Sequence, residues 1–288
     1  MRLIHTDRVF QRLSSASLVR RSRRAVQPFK TVVIALPGKT GRVSLWVIQE
    51  MGRMFLFLLQ VGLWALRPPF RPREILKQLH VIGFKTTFVV VLTAIFTGMV
   101  LALQGYYSLR KFGAEALLGS AVALSMIREL GPVLASLMVT ARSGSAMTAE
   151  IGLMRITEQI DALETMAVNP VQYLITPKML AAILVVPLLV SMFDVVGIWG
   201  GYVVGVQLLG ASAGSFWSSV ESAVEWRDVY GGLLKAVSFG VIVSWVCCYK
   251  GFYTQMSAEG LGKATTEAVV LTSVLILVWD YFLTSVLL

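Results

Sequence analysis

The chain has 288 residues, 56% of them hydrophobic and only 15% charged, where an ordinary soluble domain carries about 25%. The deficit sits in long apolar runs, which excludes a soluble globular class and points to an all-α polytopic membrane protein. The net charge of +10 does not imply nucleic acid, because 16 of the 26 Lys and Arg lie in residues 1–85 with no aromatic-basic recognition signature beside them.

Residues 1–41 read as a basic, disordered tail with a single acid, Asp7. No sustained apolar core of a secretory signal precedes residue 31. Within the tail, Pro37-Gly38-Lys39-Thr40 echoes the end of a phosphate-binding loop, but Val33 stands where the pattern needs glycine. Without it the backbone cannot cradle phosphates, so this chain is not expected to bind nucleotide. Residues 42–66 mix Arg42, Gln49, Glu50, Arg53 and Gln60 with a heavy apolar face. That composition predicts a helix lying in the membrane interface, broken by the Pro-rich stretch 67–73.

Five spans are expected near 81–108, 118–148, 175–208, 232–254 and 266–287. An odd number puts the termini on opposite sides. With the N-terminus inside, 21 basic residues, Arg155 and Lys178 among them, fall on the inner side, and four (Arg110, Lys111, Arg227 and Lys235) on the outer. This asymmetry favours a cytoplasmic N-terminus and an external C-terminus.

Span two carries Arg128-Glu129 in an otherwise apolar run. A charge at bilayer depth costs about 3 kcal/mol or more unless it is paired or wet, so the pair marks a polar cavity or an interface. Neighbours on an α-helix diverge by roughly 100°, so each is expected to have its own partner. Asp194 reads as a structural hydrogen-bonding residue, and Asp280 as a candidate to line a path.

Glu150–Pro170 holds four of the 16 acids. Thr157, Glu158, Asp161 and Glu164 form a polar stripe at helical spacing, beside Ile156, Ile160, Leu163 and Ala167. Such a helix suits a basic protein partner better than anionic lipid. Gly197, Gly201 and Gly205, and again Ala141, Ser145 and Ala149, predict close helix contacts. Pro132 and Pro187 predict kinks. The adjacent Cys247 and Cys248 read as packing residues, and His5 and His80 as lying outside the spans, so neither a metal site nor an intramembrane hydrolase is expected.

These residues together resemble the MlaE/YrbE permease family. The likeness is carried by Arg128-Glu129-Leu130-Gly131-Pro132, Ala141-Arg142-Ser143-Gly144-Ser145-Ala146, Thr148-Ala149-Glu150-Ile151-Gly152-Leu153-Met154, Thr157-Glu158-Gln159 and Met166-Ala167-Val168-Asn169-Pro170. Gly98-Met99-Val100-Leu101, Leu103-Gln104-Gly105-Tyr106, Gly197-Ile198-Trp199-Gly200-Gly201 and Ala264-Thr265-Thr266 add to it, from about residue 42 to the C-terminus. The resemblance implies a homodimeric permease in a bacterial inner membrane, with an interfacial helix and five transmembrane helices. Its partners would be an MlaF-type ATPase that uses the ATP, an MlaB-type STAS protein and an MlaD-type MCE hexamer. The cargo would be phospholipid, moved to or from the outer-membrane machinery to maintain lipid asymmetry.

Carried over by matching position, the resemblance makes 150–170 a coupling segment that docks on the ATPase, with Glu150, Glu158, Asp161 and Glu164 on it. It places Leu101, Gln104, Leu109, Arg128 and Glu129 around the lipid, while Ser108 and Phe112 depart from the family pattern. Two other readings compete. One is an MCE-linked importer of sterols or other hydrophobic compounds. The other is a secondary transporter without an ATPase, which the lack of inverted repeats disfavours.

Overall fold

The computed structural model describes residues 28–65 and 71–287. Every regular element among them is helical. The chain divides into two units, Met1–Leu56 and Phe57–Leu288. In the first, the helix Pro28–Ala65 begins; it starts 14 residues ahead of the interfacial helix read from the sequence. Residues 1–27 of the basic tail and the centre of the Pro-rich break lie outside the described residues.

In the second unit, five helices are long and apolar enough to cross a membrane. Span one is Pro72–Arg110, span two Glu115–Ile156, span three Val171–Leu208, span four Trp226–Phe252 and span five Ala258–Leu287. Each starts ahead of the apolar segment expected for it, because polar residues continue the helices, while span four stops at Phe252, two residues short of its expected end. Span one starts with Pro72 in its first turn, where a missing N–H costs nothing. Span four opens with a capping box between Glu225 and Asp228. The longer span one takes in His80, expected to lie before it; the ring stacks on Phe84 at 5.3 Å.

The helices pack through small residues. Gly98 of span one lies so close to Gly197 of span three that an added Cβ would sit 1.8 Å from the Gly197 carbonyl oxygen. Backbone-to-backbone approach of this kind supplies dense van der Waals contact where no hydrophobic drive operates in lipid. Gly201 and Gly205 meet Val122 and Leu118 of span two, so the glycine face predicted for span three is the packing face. The second small-residue stripe behaves otherwise. Ala141 is exposed, and Ser145 and Ala149 are half-buried. The face turned inward there is Ser143, Gly144, Met147 and Thr148: Ser143 bonds Thr86 of span one, while Gly144 and Thr148 pack on span four at the buried Cys247. Thr148 Oγ1 donates to the Cys247 carbonyl at 3.0 Å.

Span two is not one continuous α-helix. Met126–Leu130 and Thr140–Gly144 are π-turns. The first lies directly before Pro132, which has no N–H to return to the preceding turn.

Candidate functional site

The π-turn changes where the charged pair can point. Arg128 and Glu129 both reach span four, on residues seven apart and therefore on one face, two turns along. Arg128 Nε donates to Asp228 Oδ1 at 2.8 Å. Lys235 Nζ donates to Glu129 Oε2 at 2.9 Å. Each acquires its own partner, as the sequence requires, but a single helix supplies both.

Local structure fixes these partners. Asp228 is the third residue of its helix, and its Oδ2 accepts the Glu225 N–H at 3.2 Å. The capping box thus holds the carboxylate while Oδ1 faces Arg128. Gly232, between Asp228 and Lys235, lets the helices touch: a Cβ there would lie 2.6 Å from the Ile127 carbonyl.

Lys235 is the centre of the cluster. Its side chain is 3% exposed. The ammonium donates to the Arg128 carbonyl at 2.9 Å and to Thr284 Oγ1 at 2.7 Å, besides Glu129. Asp280 Oδ1 is 3.2 Å away. Thr284 in turn donates to Glu129 Oε1 at 3.2 Å. Three acceptors, one for each ammonium N–H, and a second counter-charge offset the desolvation that would otherwise forbid a buried ammonium. Lys235, counted by position with the outer basic residues, is a buried residue of span four, so the orientation count loses it. Asp280 is the counter-ion of Lys235 and does not stand on the cavity wall.

Beside the cluster opens a cavity of about 550 Å³, lined by Arg128, Glu129, Glu225, Arg227, Tyr230, Lys235, Thr284 and Leu287 among others. Its size suits a small-molecule or headgroup-sized ligand. Leu101 and Gln104 lie elsewhere, in a groove of about 390 Å³ with Phe96, Thr97, Val100 and Leu130. Leu130, next in sequence to Glu129, links the two regions. Leu109 is half-buried against the core, and Ser108 and Phe112 are exposed. Among the described residues, then, two of the five expected site residues share the charged cavity and two share the groove.

The acids of 150–170 also divide. Glu150 is on the helix Ser145–Ile156 and pairs with Lys178 at 2.6 Å. Lys178, counted among the inner basic residues at the start of span three, is buried there, with Gln78 of span one 3.5 Å from its ammonium. Asp161 pairs with Arg155 at 2.5 Å. Glu158 and Glu164 form no ion pair among the described residues, and both are exposed. Glu158 precedes the short helix Gln159–Thr165 at φ 58°. Because Lys178 is 1% exposed, Glu150→Ala would strand a charge. We expect a loss of about 2–3 kcal/mol, discounted because Glu150 is half-exposed. Thermal unfolding in detergent measures it, and Glu158→Ala should melt with the wild type.

Asp194 departs from its expected role. Its Oδ1 is buried without a hydrogen-bond partner among the described residues. It presses on Gly131, where an added Cβ would lie 1.7 Å from Oδ1.

Comparison with known proteins agrees with this architecture. The family model described as Permease MlaE matches residues 75–286. A "Probable ABC transporter permease protein" of Rickettsia bellii is 43% identical over 254 residues, covering 88% of this chain and 98% of that protein. The "Intermembrane phospholipid transport system permease protein MlaE" of Haemophilus influenzae is 45% identical over 214 residues, covering 74% and 82%. "Protein TRIGALACTOSYLDIACYLGLYCEROL 1, chloroplastic" of Arabidopsis thaliana is 35% identical over 226 residues, covering 78% and 65%. A packed five-span bundle, a charged cavity between spans two and four, and a match across nearly all of that bundle make this chain a member of the MlaE permease family.

Proposed function

We propose that this chain is the membrane subunit of an ABC-type phospholipid transporter, working as a homodimer in a bacterial inner membrane. The observation that carries the reading is Lys235, a buried ammonium held by Glu129, Asp280 and Thr284 beside a cavity at span depth. A polar chamber inside an apolar bundle suits an amphipathic cargo: a phosphate headgroup meets Arg128, and acyl chains meet the exposed apolar stripe of Phe96, Val100 and Leu103. The relatives' printed names, an ABC permease and a phospholipid permease, support the same direction.

The chain supplies no nucleotide motif of its own, so a separate MlaF-type ATPase provides the energy. An MlaB-type STAS protein and an MlaD-type MCE hexamer complete the assembly. The termini lie cytoplasmic and periplasmic respectively, and the turn around Gln159–Thr165 faces the ATPase. Through it, ATP-driven closure changes the shape of the cavity. The cargo moves because its affinity differs between the two conformations. Leu101 and Gln104 extend the path from the charged cavity along span one, and Leu109 buttresses it.

Native mass spectrometry of the detergent-purified complex tests this directly. The expected spectrum has two permease chains, two ATPases and bound phospholipid. Arg128→Ala should lower bound phospholipid per folded permease about three- to tenfold, with a modest loss of melting temperature because it strands Asp228, whose side chain is 9% exposed. A permease that purifies alone and lipid-free would refute the reading.

A further inference from the structure

A second cavity lies at the other end of span four. It measures about 420 Å³ and is lined by Gln60, Glu164, Asn169, Phe252 and Tyr253, with the turn at Ala167. We infer that this notch is a receptor for one basic side chain, an arginine or lysine of the ATPase partner. The inference rests on the function proposed above and names how that partner is recognised.

The notch is built locally by the end of the short helix. Val168 N–H donates to the Leu163 carbonyl and Ala167 N–H to the Glu164 carbonyl, both at 3.0 Å. This is the Schellman pattern, with Ala167 at φ 58° in the left-handed position that glycine usually takes. Asn169 Oδ1 then accepts the Val171 N–H at 3.0 Å and starts the next helix. The reversal is therefore held at both ends. It brings Glu164 and Asn169 to one hollow.

The rest of the lining includes two aromatic rings, Phe252 and Tyr253, and these are braced. Phe57 packs against Phe252 at 6.0 Å and Tyr253 at 6.1 Å, and Tyr249 against Tyr253 at 4.9 Å. A carboxylate and aromatic rings lining one hollow offer the chemistry that recognises a cation. A guanidinium, planar and able to stack, fits best.

Charge decides between possible occupants. Asp161 is satisfied by Arg155, whereas Glu164 has no ion pair among the described residues. No Lys or Arg lines the notch. A zwitterionic lipid headgroup would bring a phosphate against Glu164 with nothing to balance it. A lone protein cation carries no such penalty.

The test uses the full-length tagged permease co-expressed with the MlaF-type ATPase of the same organism. The readouts are ATPase retained per permease and ATP turnover of the complex. Glu164→Lys should reduce retention at least tenfold, and Glu164→Gln about fivefold with a flatter dependence on salt. Tyr253→Leu should reduce it about threefold. Glu74→Lys, an exposed acid at the start of span one, should change nothing. Glu164 is exposed, so Glu164→Lys should melt with the wild type. Recovery of Glu164→Lys by an Arg→Glu or Lys→Glu change in the ATPase would support the pairing. Wild-type retention by Glu164→Lys overturns the notch and leaves the proposed function standing. Loss of bound lipid without loss of ATPase also overturns it, making the occupant a headgroup. Failure of the wild-type permease to retain the ATPase removes the proposed function, and this inference with it.

Discussion

Reversing either charge of the Glu129–Lys235 pair is expected to abolish lipid transfer and to destabilise the bundle. Lys235 is 3% exposed and donates to Glu129, Thr284 and the Arg128 carbonyl. Glu129→Lys would set a second ammonium against it at the 2.9 Å site. Lys235→Glu would bring a carboxylate to the Arg128 carbonyl and to Asp280, acceptor against acceptor. Breaking a buried pair by removing one partner costs about 3–5 kcal/mol, and like charges add to that. Each single reversal should lower phospholipid transfer in proteoliposomes at least tenfold. The double reversal should recover only part. It restores opposite charges, but a carboxylate at 235 cannot donate to the Arg128 carbonyl as the ammonium does. Melting temperatures of the four proteins close a double-mutant cycle. Strictly additive losses would mean that the two residues do not sense each other, and full transfer by both single variants would remove the cluster from the transport path.

A glycine series gives the second large effect. Gly98→Ala is expected to prevent accumulation of folded protein. The new Cβ would lie 1.8 Å from the Gly197 carbonyl oxygen and 2.6 Å from its carbon. Backbone lies on both sides, so neither helix yields without moving as a whole. Overpacking of this severity costs about 3 kcal/mol or more. Gly105→Ala meets only Leu118 Cδ1, at 3.1 Å. The end of a flexible side chain moves aside, so the cost should stay below about 1 kcal/mol. Gly62→Ala has nothing within 4 Å and lies in a helix. It should gain about 0.5–1 kcal/mol from reduced backbone entropy. Size-exclusion profiles and melting curves of the three variants test the ranking. Wild-type behaviour of Gly98→Ala would mean that spans one and three do not touch through backbone.

Much of the fold was legible because lipid imposes simple rules. A stretch of apolar residues long enough to cross must be helical, and four of the five expected segments lie within the five long helices, the fourth overrunning its helix by two residues. Their ends were less legible. Polar turns at Pro72 and Glu225 extend helices past the apolar core, where hydropathy gives no signal. The glycine face of span three could be read from spacing alone. The Ala141, Ser145 and Ala149 stripe looks the same on paper but faces outward, since spacing does not say which neighbour a face will meet.

The charged residues divide in the same way. That Arg128 and Glu129 need partners follows from the cost of a charge in a bilayer, and that requirement is a property of the sequence. Two span acids, Glu129 and Asp280, ask for a cation, and Lys235 at the edge of an expected span was the available one. It counts with the outer basic residues because it lies three residues inside the expected start of span four, where hydropathy gives no sign of burial. Only the folded chain could assign it, because residues 129, 235 and 280 meet through helix packing that no local pattern encodes. The same holds for Lys178 with Glu150 and for Asp194, whose lack of a partner depends on what span two presents to it. Composition and periodicity determined the class, the spans and the need for a polar site. The π-turn at Met126–Leu130 and the close approach at Gly232 decided which side chains form it, the first because apolar periodicity does not show an extra residue in a turn, the second because it joins residues roughly a hundred positions apart.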